Sequence, residues 1–310
     1  MPTPSSTGTI DFVFRGETFQ TAFKVFGDLK SKGRPLIALH GGPGIMHQYI
    51  LPLAELAASQ GMPVIFYDQI GCGASSKATT HPDLENKPAE FWTAELFMAE
   101  LDTVLAYFKV GGDYDLYGHS WGGMLAANYV ISRNPQGLRR LVLSDAPASM
   151  ELWAVGTNAL LAEFPADFRA MLKKHEDAGT TDSAEYQQGI QEFNEKHLCT
   201  VKPWPADLVS AFADLEKDAT VYSTMIGPSE FNITGTLKEW NVVDDLGRIH
   251  VPTLLINGRY DDAQDVAVVP FFEKIPRVKW VQFAESSHMP FFEEKERYLK
   301  VLGDFLSGEN

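Results

Sequence analysis

Short apolar runs alternate with helical patterns along the first half of the chain. The runs at 36–39, 64–67, 114–117 and 141–144 predict strands, and the first two are apolar throughout, as in strands buried on both faces. Between them, apolar residues recur at helical spacing over 97–108, and a helix is predicted at 124–130. Strands that alternate with helices predict an α/β fold whose mostly parallel sheet carries helices on both faces.

The pattern changes after Pro147. Residues 148–239 contain no convincing buried strand and are rich in helix formers, charges and scattered prolines, which predicts a helical cap insertion. The alternation returns with apolar runs at 253–257 and 280–283, and an amphipathic helix is predicted over 298–305. We therefore expect residues 1–147 and 240–310 to form one core with a single sheet, and residues 148–239 to cover it.

Composition narrows the class of protein. The 310 residues carry a net charge of −15, which argues against a nucleic-acid partner because phosphate binding relies on Lys and Arg. Cys72 and Cys199 are too far apart for a metal-ligand spacing or a disulfide framework. No sequence motif points to a cofactor, and none is expected. No signal peptide and no apolar run of roughly 20 residues is evident, so we expect a cytoplasmic protein without a membrane partner.

The candidate nucleophile is Ser120, in the segment Gly-His-Ser-Trp-Gly over residues 118–122. A strand that turns through G-x-S-x-G into a helix exposes its serine hydroxyl, and the glycines permit the close backbone approach. By itself the motif is only moderately specific, since it arises by chance in roughly one chain in ten of this length. A capping serine in a Gly-rich turn is the alternative.

An acid and a base follow in the order that this fold requires. A serine needs a base to take its proton, and the base needs an acid to fix its tautomer. Asp261 follows the strand at 253–257 and His288 follows the strand at 280–283, so both are expected at the same sheet edge as Ser120. Asp262 and Asp145 compete with Asp261 for the role of the acid.

A glycine-rich loop, His-Gly-Gly-Pro-Gly over residues 40–44, directly follows the first buried strand. The negative charge of a tetrahedral intermediate needs backbone N–H donors, which glycines present without obstruction. We assign these donors to the amides of Gly42 and Trp121, the latter following the nucleophile. His40 is expected to hydrogen-bond the loop rather than to take part in catalysis.

The combination of HGGPG, DQIGCGAS, GHSWGG, GRYDD and SSHMP resembles the proline iminopeptidase family of serine aminopeptidases, and most of all its tricorn-interacting branch. The resemblance extends over nearly the whole chain, including the cap segment at 227–236. It implies an α/β-hydrolase fold with a helical cap, no metal, and release of N-terminal residues such as proline from short peptides or amino-acid amides.

The resemblance also implies an anchor for the substrate's α-amino group. In that branch a cap glutamate and an acidic residue after the catalytic aspartate hold the amine, and here these positions are Glu230 and Asp262. The second position is an aspartate where that branch has glutamate. A peptide α-amine has a pKa of about 7.7–8.0, so it is largely cationic at neutral pH and two carboxylates would attract it. The same triad could instead serve an esterase, a lactonase or an amidase of a small non-peptide, and a non-enzymatic binding protein is a third reading.

Overall fold

The computed structural model describes residues 2–77 and 80–308. It contains one eight-stranded sheet in the order β1-β2-β4-β3-β5-β6-β7-β8. The strands are β1 (Ser6–Phe14), β2 (Glu17–Phe26), β3 (Leu36–Leu39), β4 (Val64–Tyr67), β5 (Tyr114–His119), β6 (Leu138–Ser144), β7 (Thr253–Gly258) and β8 (Val278–Phe283). From β4 onward in this order every neighbouring pair is parallel, so the predicted mostly parallel sheet is confirmed.

Helices cover both faces of this sheet, as predicted. One face packs against α3 (Ala94–Phe108), α4 (Trp121–Arg133) and α10 (Asp265–Lys274). The other face packs against α1 (Glu55–Ser59) and α12 (Lys295–Ser307). Two short helices, α2 (Pro82–Glu85) and α11 (Pro290–Glu293), and 3₁₀ turns at His47–Ala54, Ala89–Phe91 and Val243–Arg248 complete the core. Strands β3 to β5 are buried along their whole length because both of their faces are covered.

The N-terminal hairpin was not predicted. Strands β1 and β2 pair antiparallel, and β2 also pairs antiparallel with β4. Arg15 and Gly16 join the hairpin strands with φ angles of 51° and 85°, the positive values that a two-residue hairpin turn requires. In β1, Ile10, Phe12 and Phe14 are buried while the residues between them are exposed. This alternation at 10–14 was the available signal in the sequence.

The segment between β6 and β7 is helical. It contains α5 (Met150–Ala162), α6 (Ala166–Ala178), α7 (Ala184–His197), α8 (Ala206–Leu215) and α9 (Thr220–Met225). An isolated antiparallel bridge joins Ser149 to Asn241, so the segment leaves the core and returns to it at one place. The boundaries 148–239 for a separate cap stay a prediction. Within the described part of the chain, no helix combines the length and the apolar character needed to cross a bilayer.

Candidate active site

Ser120 occupies a strained turn between β5 and α4. Its φ and ψ angles are 56° and −123°, in the positive-φ region that residues other than glycine rarely adopt. The turn is tight because a Cβ atom on Gly118 would lie 2.1 Å from the carbonyl oxygen of Gly122. The Ser120 amide donates to the carbonyl oxygen of Ser144 at 2.9 Å, which ties the turn to the end of β6. The geometry is that of a nucleophile elbow.

The glycine-rich loop lies directly against this elbow. A Cβ atom on Gly41 would approach the Cβ of Ser120 to 2.9 Å, so a larger residue would displace the serine. Gly42 has a φ of 111° and lines the same cavity as Ser120. Trp121 is the first residue of α4, where the backbone amide has no partner within the helix. The two amides assigned as oxyanion donors thus belong to segments that flank Ser120.

Asp261 and His288 form a buried pair at the ends of β7 and β8. His288 Nδ1 lies 2.7 Å from Asp261 Oδ1, and the same oxygen accepts a hydrogen bond from the Ala263 amide at 2.7 Å. With Nδ1 as the donor to Asp261, Nε2 is the basic nitrogen of the ring. His288 and Ser120 both line one cavity. The structure therefore brings the three residues of the predicted triad to one edge of the sheet.

Both competitors for the role of the acid lie next to this pair. Asp262 Oδ1 is 2.9 Å from His288 Nδ1, but Nδ1 carries one proton and Asp261 accepts it. Asp145 follows β6, is fully buried, and has no direct contact with the His288 ring nitrogens in the described ion pairs. His288 thus faces two carboxylates, with a third carboxyl behind Asp261.

A large cavity opens above Ser120. It has a volume of about 800 Å³, and its wall combines core loops with residues of α7, α8 and α9. Glu230 and Asp262 both line it, and Asp262 is buried while Glu230 is half-buried. Burial, and then the charge of Asp262, raise the pKa of Glu230 to about 7, although the Tyr222 hydroxyl donates to Glu230 Oε1 at 2.8 Å. The cavity therefore holds negative charge that a bound cation would stabilise.

A hydrogen-bonded path connects the glycine-rich loop, the end of β5 and the loop that carries His288. The sequence did not predict this path. The Gly41 amide donates to Tyr49 Oη at 2.6 Å, and Tyr49 Oη lies 2.8 Å from His119 Nδ1. His119 Nε2 lies 2.8 Å from the His288 carbonyl oxygen. Since a carbonyl only accepts, Nε2 donates, Nδ1 accepts from Tyr49, and His119 is neutral. Burial also lowers the pKa of His119 well below its usual value. The signal was its place as the second residue of G-x-S-x-G.

Gln69 is a second residue that the sequence did not single out. Its Nε2 donates to the His40 carbonyl oxygen at 2.9 Å, and its Oε1 accepts from Trp121 Nε1 at 2.8 Å. Its backbone amide donates to His40 Nε2 at 2.9 Å, in line with the loop-holding role expected of that histidine. One buried side chain thus joins the glycine-rich loop to the elbow. The only signal was its place in the DQIGCGAS motif.

The end of α7 contacts both the loop that carries Asp261 and the loop that carries His288. The carbonyl oxygen of His197 accepts a hydrogen bond from the His288 amide at 3.2 Å. Its ring Nδ1 lies 2.8 Å from the carbonyl oxygen of Tyr260, which directly precedes Asp261. A single residue of the inserted segment is therefore bonded to both loops.

Among the residues that the structure describes, two clusters have ligand atoms within 4.8 Å of one another, the spacing that a metal ion would need. They are His40, Asp68 and Cys72, and Asp261, Asp262 and His288. In the first cluster, Asp68 accepts from the amide and ring of His47, and His40 Nε2 accepts from the Gln69 amide. In the second cluster, His288 Nδ1 donates a hydrogen bond to Asp261. Hydrogen bonding explains why these groups lie together.

A serine on a strained strand-to-helix turn, above a mostly parallel sheet and beside a buried acid–histidine pair, defines an α/β hydrolase. A family model described as the alpha/beta hydrolase fold matches residues 34–295. A proline iminopeptidase from Saccharolobus solfataricus is 34% identical over 278 residues, which cover 90% of this chain and 86% of the relative.

Two solved structures are similar to the chain over nearly its full length. VinJ is 42% identical with a TM-score of 0.92, and 99% of each chain is covered. A proline iminopeptidase from Mycobacterium smegmatis is 39% identical with a TM-score of 0.87, and 98% of each chain is covered. The chain belongs to the proline iminopeptidase family of α/β hydrolases and is a hydrolytic enzyme. The esterase or lactonase alternative is not favoured, and the placement in the tricorn-interacting branch stays a prediction.

Proposed function

We propose that this enzyme releases the N-terminal residue, proline or another apolar residue, from short peptides or amino-acid amides. The observation that carries the proposal is the pair of carboxylates, the half-buried Glu230 and the buried Asp262, in the cavity that Ser120 lines. A cationic α-amine bound there would relieve their mutual repulsion and fix the first carbonyl carbon over the serine. The names of the relatives support the same reaction.

The chemistry follows from the proposed triad. Ser120 Oγ attacks the carbonyl carbon while His288 Nε2 takes its proton, and Asp261 holds the imidazole through Nδ1. The oxyanion accepts hydrogen bonds from the amides of Gly42 and Trp121. The leaving amine takes the proton from His288, and water then hydrolyses the acyl-enzyme with His288 again as the base.

The inserted helices act as a cap that limits the substrate. The bridge between Ser149 and Asn241 supports boundaries near 148–239, because it closes the neck of the insertion. Helices α7 to α9 contribute to the cavity wall, so a substrate must fit within about 800 Å³. This volume suits a short peptide and excludes a folded protein.

We expect that N-acetylation of a substrate abolishes most of its turnover. A prolyl or alanyl arylamide with an unmodified amine should be cleaved at least about 100-fold more efficiently than its acetylated counterpart, because acetylation removes the cation that the two carboxylates hold. The measurement is kcat/KM for matched pairs of arylamides. Equal cleavage of both members of a pair would contradict the proposed amine anchor.

The pH dependence should respond to Asp262. Burial alone would lower the pKa of His288, but the carboxylates of Asp262 and Asp261 offset this and raise it well above its usual value. The base accepts a proton only when neutral, so kcat/KM falls as the pH drops through that pKa. Asp262→Asn removes one of the two charges, and the acid limb of the kcat/KM profile should therefore move to lower pH.

The control for this pH profile is Asp182→Asn, since Asp182 lines the same cavity without contacting His288 in the described ion pairs. Its acid limb should coincide with that of the wild type. An acid limb unmoved in Asp262→Asn would mean that Asp262 does not act on the base.

A further inference from the structure

A row of buried hydroxyl groups leads toward the acid of the proposed triad. Tyr117 Oη lies 2.9 Å from Tyr298 Oη, Tyr298 Oη lies 2.8 Å from Ser144 Oγ, and Ser144 Oγ donates to Asp145 Oδ2 at 2.5 Å. All four residues are fully buried. The Ser144 hydroxyl donates its one hydrogen bond to Asp145, so Tyr298 must donate to Ser144. Tyr117 must in turn donate to Tyr298. Every donor in the row points toward Asp145.

The row ends at two carboxyl groups that each leave one oxygen without a partner. Asp145 Oδ1 and Asp261 Oδ2 are buried and accept no hydrogen bond from any residue in 2–77 or 80–308. The two carboxyls lie within hydrogen-bonding reach of each other. Asp262 also lies within reach of Asp261, but its unpartnered oxygen Oδ1 faces His288 Nδ1 at 2.9 Å. Two adjacent buried carboxylates repel and lack solvation, whereas one proton between them gives both oxygens a partner.

The contacts decide which carboxyl holds that proton. Asp261 Oδ1 accepts hydrogen bonds from two N–H groups, of Ala263 and His288, and a proton on Asp261 would weaken both of these bonds. Asp145 receives only the Ser144 hydroxyl, and its oxygen Oδ2 is already the acceptor of that bond. The proton therefore belongs on Asp145 Oδ1, which faces no other donor.

The electrostatic surroundings agree with this assignment. Burial first, and then the charge of Asp261, raise the pKa of Asp145 well above its usual range. Among the described residues, the ring nitrogen that lies within 4.0 Å of an Asp145 carboxyl oxygen is His119 Nε2, 3.9 Å from Oδ2, and its proton is donated to the His288 carbonyl. The titratable groups that face Asp145 from the surrounding elements are Tyr49, Tyr117, His119, Asp261, His288 and Tyr298.

We propose that Asp145 is a positioning residue that stays protonated at neutral pH and donates a hydrogen bond from Oδ1 to Asp261 Oδ2. This bond fixes the plane of the Asp261 carboxylate, so that Oδ1 stays aimed at His288 Nδ1. Asp145 acts on the reaction only through Asp261, and the inference rests on the proposed role of Asp261 as the acid of the triad. Asp145, the carboxyl that follows β6, thus supports Asp261, the carboxyl that follows β7.

Asparagine and alanine at position 145 separate this role from an anionic one. In Asp145→Asn, the amide Nδ2 donates to Asp261 and Oδ1 accepts from Ser144. The value of kcat/KM should therefore stay within about threefold of the wild type, and the acid limb of its pH profile should not move. In Asp145→Ala the donor is lost, and kcat should fall about 10- to 100-fold with KM little changed, the effect of losing a hydrogen bond to a charged group. Asp115→Asn is the matched control, a buried aspartate at the opposite end of β5, and it should leave both parameters unchanged.

Infrared difference spectroscopy provides a readout that does not depend on activity. The wild type minus Asp145→Asn spectrum at neutral pH should contain the carbonyl stretch of a protonated carboxylic acid. Bands from other buried acids, such as Glu100, whose pKa is raised by burial to about 8, cancel in this difference. Wild-type enzyme should also display the downfield proton resonance of His288 Nδ1, retained in Asp145→Asn and shifted in Asp145→Ala.

Two results would overturn the inference. One is the loss of a carboxylate band instead of a protonated acid band in the difference spectrum. The other is an Asp145→Asn enzyme as slow as Asp145→Ala, which would mean that the negative charge of Asp145 is needed. If Asp145→Ala does not fold, the asparagine variant and the spectrum still decide. Covalent labelling of Ser120 by a serine-directed phosphonate tests the proposed nucleophile separately, so failure of one is distinguishable from failure of the other.

Discussion

Ser120→Ala is expected to lower kcat/KM by at least about 10⁴-fold, the largest effect of any substitution considered for this chain. The loss should be this large because the alanine variant can form no acyl-enzyme, and only binding and the oxyanion donors remain. Since Ser120 and His288 act as one unit, the Ser120→Ala/His288→Ala double variant should be no slower than either single variant. The measurement is kcat/KM for a prolyl arylamide, together with labelling by a serine-directed phosphonate.

Ser223→Ala is the matched control for that experiment. Ser223 lies on α9 and lines the same cavity, so its replacement removes a nearby hydroxyl without touching the elbow. Activity and labelling should remain within about threefold of the wild type. Labelling that persists in Ser120→Ala, or is lost in Ser223→Ala, would assign the nucleophile elsewhere.

Glu230→Gln is expected to lower kcat/KM strongly, and only for substrates with an unmodified amine. The half-buried carboxylate lies within the field of the buried Asp262, and loss of one partner of a charge pair at such a site costs about 2 kcal/mol or more, roughly 30-fold in kcat/KM. Glutamine keeps the size of the side chain and can still accept the hydrogen bond of Tyr222, so the cavity should stay intact. N-acetylated arylamides, which carry no cation, should be cleaved at the same low rate by both enzymes.

A cycle of two enzymes and two substrates isolates the amine contact from any other change. The coupling between the Glu230 carboxylate and the substrate amine is the ratio of the two effects, measured as kcat/KM for all four combinations. Glu216→Gln, the same substitution elsewhere on the cavity wall, should give a coupling ratio near one. An equal loss on both substrates in Glu230→Gln would mean that Glu230 shapes the cavity rather than binding the amine.

The sequence predicted the strands whose pattern is decided locally. Residues 36–39 and 64–67 match β3 and β4 because burial on both faces demands a continuous apolar run. Strand β8 starts two residues earlier than predicted because Lys279 interrupts the apolar pattern, and only one of its six residues, Phe283, is buried. Strand β5 continues through Gly118 and His119, which read as turn residues, because their backbones still pair with β6.

The site divides in the same way. Ser120, Asp261 and His288 were predictable because each follows a strand, and parallel strands end at one edge of the sheet. The contacts of Tyr49 and Gln69 join loops that are far apart in the chain, so no local pattern reports them. Such residues become visible only when hydrogen-bond partners are traced atom by atom in three dimensions.

The hydrogen bonds of His197 to the loops that carry Asp261 and His288 couple the position of the cap to the geometry of the proposed active site. A cap that swung outward with α7 would withdraw the acceptor of the His288 amide and the partner of the Tyr260 carbonyl. The proposed base, His288, and the proposed acid, Asp261, would lose their common support in the same movement. An enzyme with an open cap would therefore be inactive, and hydrolysis would be confined to substrates small enough to be fully enclosed by the closed cap. This coupling would spare longer polypeptides that touch the cavity mouth.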